Sequence, residues 1–188
     1  MDLQESGEGN HSPMSVIRFS VEQTPQHETH YVSGEALYVE SLVHGQWNAQ
    51  YWGTQGQPGS SKSRVGSPAF EIGIKSAPSL KNETSITEGW CWERSIELDT
   101  NTGNRDLIVE LSNEIHPVRV GVHTVLDGTP VLTRWLDITN DSDKSIALTS
   151  VMPWSGCLWV ADGPMFLGHS VRWEFPWEGW FGWTLLEQ

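Results

Sequence analysis

Positive charge is scarce in this chain: 11 Lys and Arg stand against 24 Asp and Glu, a formal net charge of −13. An acidic surface repels phosphate backbones, which excludes nucleic acid as an expected partner. Long apolar runs are missing as well. No window approaches the roughly 18 residues of a membrane-spanning helix, and no basic amphipathic stretch points to a membrane surface. The opening "MDLQESGEGNHSPM" has neither a positive n-region nor an apolar h-region, so it does not read as a signal peptide and a cytoplasmic location is expected. Cysteine is nearly absent. Cys91 in "GWCWE" and Cys157 in "SGCLWV" lie in strand-like apolar settings and are expected as buried free thiols rather than a disulfide.

Catalytic signatures are equally thin. There is no Gly-x-Ser-x-Gly elbow, no P-loop and no dinucleotide fingerprint, and neither cysteine has a nearby histidine to activate it. "HETH" sets His27 and His30 three apart, whereas a zinc-protease helix needs them four apart, so a polar loop is expected there. His116 and His123 flank a strand at an odd separation, which puts them on opposite faces and argues against a shared metal. No metal or cofactor is expected. Glu110, Glu114, Asp137 and Asp141 have nothing to distinguish a glycosidase-type carboxylate pair from solvent-facing strand charges.

What is present is 11 Trp, 18 Gly and 10 Pro, a balance that favours short strands joined by turns over helix. Residues 1–13 read as a disordered lead-in. "SVIRFSVE", "EALYVESLV" and "QWNAQYWG" read as strands, and the Gly/Ser/Pro stretch 53–68 reads as a long loop. "AFEIGIK" resumes strand character and "APSLKNETSITEG" breaks it. From residue 87, "WCWERSIEL", "RDLIVELSNEI", "VRVGVHTVLD", "PVLTRWLDITN" and "IALTSVMPW" follow one another at intervals of about a dozen residues. Their separators "DTNTGN", "HP", "DGTP" and "NDSDK" carry turn chemistry. Five hairpin-linked strands predict a meander forming half of an all-β antiparallel sandwich, with few or no helices.

The tryptophans divide by setting. Trp90, Trp92 and Trp135 lie inside strands and are expected in the core. Trp47 and Trp52 flank the entry to the long loop and are the candidates for stacking on a sugar ring. In the tail "WEFPWEGWFGW", Trp173, Trp177, Trp180 and Trp183 have the spacing of a helical stripe. Pro176 and the glycines at 179 and 182 break every turn such a helix would need. An unfinished interface through which the isolated chain self-associates is the expectation there.

The stretch "HPVRVGVHTVLDGTPVLTRWLDITNDSDKSIALTSVMPWSG" (116–156), with Arg134, Asp137, Ile138 and Asn140 in its centre, resembles the N-terminal β-supersandwich of melibiase-type α-galactosidases (glycoside hydrolase family 36). The likeness is clearest over residues 87–188 and weaker over 14–86. It implies a two-sheet, galactose mutarotase-like supersandwich over 14–188, with Arg134, Asp137 and Asn140 serving strand pairing and turn formation. It further implies a rim contact to an α-galactoside from Trp52 or Trp47, homo-oligomer contacts, and a following (β/α)₈ barrel as partner. In that family two Asp residues of the barrel perform a retaining double displacement. Neither barrel motif has a match here, so the chain is expected to be a non-catalytic fragment. Two other readings stay open: a free-standing carbohydrate-binding module, and a small mutarotase-like enzyme pairing His116 or His123 with Glu110.

Overall fold

A computed structural model describes residues 17–22, 26–55, 67–76, 83–100, 103–155, 165–172 and 179–186. The expected lead-in 1–13, most of the loop 53–68, Cys157, Trp173 and Trp177 lie outside these residues. The chain divides into two compact units, residues 1–157 and 158–188.

Among the described residues of the first unit all regular structure is β. β1 (Ile17–Glu22), β2 (Glu28–Ser33), β3 (Ala36–Val43), β4 (Gln46–Thr54) and β5 (Ser67–Pro68) form one antiparallel sheet in sequence order. β6 (Glu71–Ser76) and β7 (Thr84–Ile86) lie in a second. β8 (Trp90–Asp99), β9 (Arg105–Asn113), β10 (Val118–Leu126) and β11 (Leu132–Asn140) form a third, again an unbroken meander. The three sheets share one core: Tyr31, Tyr38 and Trp47 from the first, Ile72, Ile74 and Ile86 from the second, Trp90, Val109, Leu111, Val120 and Val122 from the third. The expected all-β sandwich is what the first unit forms. Among the described residues no helix is long and apolar enough to cross a membrane.

The turns follow from side-chain chemistry. Asp127 accepts the Thr129 amide at 2.9 Å and its hydroxyl at 2.6 Å, and Gly128 takes φ +85° in the tight β10–β11 connection. Asn113 accepts the amides of Ile115 and His116 at 3.0 and 2.8 Å. Asn140 accepts the Ser142 amide at 3.1 Å and donates to the Lys144 carbonyl at 2.7 Å, closing the β11 turn as its place in the motif suggested.

The structure corrects the sequence reading at three places. β12 (Ile146–Met152) does not extend the meander but crosses to pair with β6 in the order β12-β6-β7. Turn signals fix where strands end, and they carry no information on which neighbour the next strand takes. "ETHYVS" is strand β2 rather than a polar loop. Its alternate positions Thr29, Tyr31 and Ser33 are fully buried, but only one of them is apolar, so the period-2 signal was concealed. Trp135 is 39% exposed on the outer face of the meander rather than in the core. Trp90 is buried as expected, and Trp92 is half-buried with its ring stacked on His27 at 4.4 Å.

The second unit is a hairpin of β13 (Met165–Arg172) and β14 (Gly179–Leu186), antiparallel, with Gly168 opposite Trp183. Trp183 and Leu185 are 65% and 51% exposed.

Candidate functional site

Two places concentrate chemistry. The first lies on the core-facing side of β3 and β4, where a β-bulge decides which residues meet. Across most of this pair the register is regular, but it shifts between Val39/Tyr51 and Glu40/Ala49, leaving Gln50 as the extra residue. Five residues of plain strand would put Trp47 and Trp52 on opposite faces. The bulge restores both to the face of Tyr38, Glu40 and Leu42, opposite Leu42 and Tyr38 respectively. Trp47 is 1% exposed in the core, so neither ring face is open to a ligand. Trp52 is half-buried, with Tyr38 at 4.9 Å and Trp154 at 5.2 Å between ring centroids.

Behind these rings is a wholly buried ion pair. Glu40 and Arg134 both have side chains 0% exposed and meet at 2.5 Å, joining β3 to β11 across the sandwich. Further hydrogen bonds tie both groups in place. Tyr31 and Tyr38 donate to the Glu40 carboxylate at 2.9 and 2.8 Å, and Arg134 Nε and Nη2 donate to Thr124 Oγ1 at 3.1 and 3.0 Å. The guanidinium carbon lies 4.1 Å from the Trp154 ring centroid. Burial pushes both tyrosines well above their ordinary range, and the adjacent Glu40 charge pushes them further. Burial works against the Arg134 charge, yet the facing carboxylate outweighs it and holds the guanidinium above its usual value. Arg134 thus ties its own strand to the paired strand β10 through Thr124 and to the opposite sheet through Glu40. Sequence reasoning missed Glu40. Its signal was a carboxylate on the tyrosine-bearing parity of an otherwise apolar strand.

The second place is the outer face of the meander. A bulge at Glu93 turns Arg94 outward, opposite Glu110. Four cross-strand positions then line up as Arg94, Glu110, Gly121 and Asp137, with Ile96, Ile108, His123 and Trp135 in the next row. Gly121 leaves a depression of about 320 Å³ bordered by Arg94, Glu110, Arg119, Asp137, Ile108 and His123. Arg94 holds Glu110 through two hydrogen bonds of 2.6 and 3.0 Å, which lowers the carboxyl below its ordinary value. Arg119 grips Asp141 in the same way at 2.6 and 2.8 Å, and the Asp141 carboxyl is lowered. His123 stands between two carboxylates, Nδ1 3.0 Å from Asp106 and Nε2 3.0 Å from Asp137, and its ring stacks on Trp135 at 4.5 Å.

No family model, curated protein or solved structure matches this chain. His116 lies in the turn before β10, apart from this row, and Glu110 is engaged by Arg94 rather than by a histidine. A His–Glu pair of the mutarotase kind is therefore not assembled from His123 and Glu110; the partners of His123 are the two aspartates. Among the described residues no group of three His, Cys, Asp or Glu is arranged to hold a metal ion. His27 and His30 are separated in role, His27 against Trp92 and His30 against Glu28 at 2.6 Å. Cys91 is a half-buried free thiol.

Proposed function

We propose that the chain is a non-catalytic accessory sandwich of an α-galactosidase-like glycoside hydrolase, working in the cytoplasm. It supplies scaffold, oligomer contacts and part of the rim of a sugar pocket. The supporting observation is an unbroken packing path from motif to ring. Arg134, at the centre of the segment that resembles the family, lies over Trp154, and Trp154 packs edge-on against Trp52. The arginine thus fixes the half-buried ring that the resemblance assigns to the rim, and Glu40 fixes the arginine. The exposed Trp183 and Leu185 give the hairpin apolar surface of the kind that oligomer or domain contacts cover. Proton transfer and nucleophilic attack belong to the partner (β/α)₈ barrel in this reading.

The coding sequence read beyond codon 188 should continue in frame into such a barrel. In the joined enzyme, Trp52→Ala should raise KM for raffinose with a smaller change in kcat, because a rim contact acts chiefly on binding. The absence of an in-frame barrel, or an unchanged KM, would sink the proposal. A free-standing carbohydrate-binding module is the second reading, favoured by the exposure of Trp135 beside the outer-face depression. Retention of this chain alone on a galactomannan matrix, with no barrel encoded, would select it.

A further inference from the structure

Gly121 sits in the middle of β10, with hydrogen-bonded strands on both sides. Glycine weakens a strand interior, and it marks either a bulge or a close approach of another group to the backbone. The register of β10 is regular against both neighbours, so no bulge accounts for it. Two other strand glycines, Gly53 and Gly73, have internal causes. A Cβ on Gly53 would meet the Tyr51 hydroxyl, and one on Gly73 would meet Ser150, Thr149 and Glu83, all well inside van der Waals contact. At Gly121 the nearest atoms to such a Cβ are 3.6 and 3.7 Å away, an ordinary contact, and its backbone is not left-handed. Nothing within the fold requires this position to be bare.

We infer that the bare backbone at Gly121 is the floor of a binding site for a small, neutral, polyhydroxylated ligand of the hexose type. Charge compensation decides against an ion: each bordering arginine is already held by a carboxylate through two contacts. The chain's net charge of −13 repels anions further. The depression is two-natured. Glu110 and Asp137 stand on either side of the floor, and an ionised carboxylate offers about four acceptor sites, more than their present partners occupy. Ile108 and His123 present C–H and ring surface instead, with Trp135 stacked behind His123 as its cross-strand neighbour. A pyranose has that same division, hydroxyls at its rim and a C–H face. At about 320 Å³ the space is at the small end for ligand sites, enough for one ring rather than a chain. This site is separate from Trp52 and stands whether or not a catalytic barrel accompanies the chain.

The test is a heteronuclear NMR titration of the isotope-labelled chain with D-galactose and D-glucose up to tens of millimolar. A saturable shift of the Gly121 amide and the Trp135 indole is expected, with the Trp52 indole unmoved. Gly121→Val should weaken it about tenfold or more, equivalent to about 1.4 kcal/mol or more. Gly121→Ala and Asp137→Asn, which disturb the surface less, should weaken it by smaller factors and guard against a misfolded valine variant. No saturable response, shifts confined to Trp52 and Trp154, an unchanged response in all three variants, or a response to phosphate instead of sugar would each overturn the assignment.

Discussion

The buried Glu40–Arg134 pair gives the sharpest test of how this sandwich is held together. Both side chains are 0% exposed, so neither charge has water to fall back on. Arg134→Met keeps the length of the side chain but leaves the Glu40 carboxylate with two phenol donors and no counter-charge. Glu40→Gln leaves the guanidinium with uncharged acceptors, an amide oxygen and the Thr124 hydroxyl, beside the ring of Trp154, and no counter-charge. Removing one partner of a fully buried pair costs about 3–5 kcal/mol, against a total stability of about 5–15 kcal/mol for a domain. With a urea m-value of about 2 kcal/mol/M, a loss near 4 kcal/mol lowers the midpoint by roughly 2 M. The double variant removes both charges together and should lose less than the sum of the singles, by about 2–3 kcal/mol. Equilibrium urea unfolding of the four proteins supplies every corner of this cycle. Singles that each lose under about 1 kcal/mol, as exposed pairs do, or strictly additive losses would refute the reasoning.

Two further outcomes follow from residues already placed. Gly34 has φ +56°, and a Cβ there would lie 2.8 Å from the Gly128 carbonyl oxygen. Gly34→Ala should therefore destabilise by more than about 1 kcal/mol, while Gly121→Ala should stabilise by about 0.5–1 kcal/mol; opposite shifts in thermal midpoint check both. Tyr31 and Tyr38 have folded pKa values raised by burial and by Glu40. The folded state therefore holds protons that the unfolded chain releases near pH 10, so stability falls as pH rises above about 10. In an alkaline titration their tyrosinate absorbance should appear together with unfolding. Ionisation of more than one of the chain's three tyrosines while it is still folded by far-ultraviolet circular dichroism would contradict their burial, because Tyr51 is the third.

Much of the fold is legible in the sequence because alternation and turn chemistry are local. "EALYVESLV" and "VRVGVHTVLD" mark β3 and β10 to within a residue or so, and Asp127, Gly128 and Asn140 shape the turns their types suggest. Partner choice is not local, and there the reading failed: β12 leaves the meander for β6. β2 was hidden because polar Thr29 and Ser33 fill core positions, where Ser33 bridges to the Thr129 carbonyl and the Gly128 amide. Trp47 and Trp52 looked equivalent beside the same loop. Their difference comes from what packs over each, and for Trp52 that includes Trp154, about a hundred residues further on. The outer-face row around Gly121 needs three registers at once, one of them interrupted by the Glu93 bulge.

The extra residue at Gln50 has a bearing on how such a chain can change over time. Deleting it would remove one uncharged side chain and leave a plain strand in which Trp47 and Trp52, now four positions apart, still share the core face. Every other side chain of β4 would keep its present side and its present partner on β3. The same loss in β10, whose register is regular against both neighbours, would turn all positions beyond it to the opposite face. A bulge is thus a place where a codon can come or go without disturbing what is inside and what is outside.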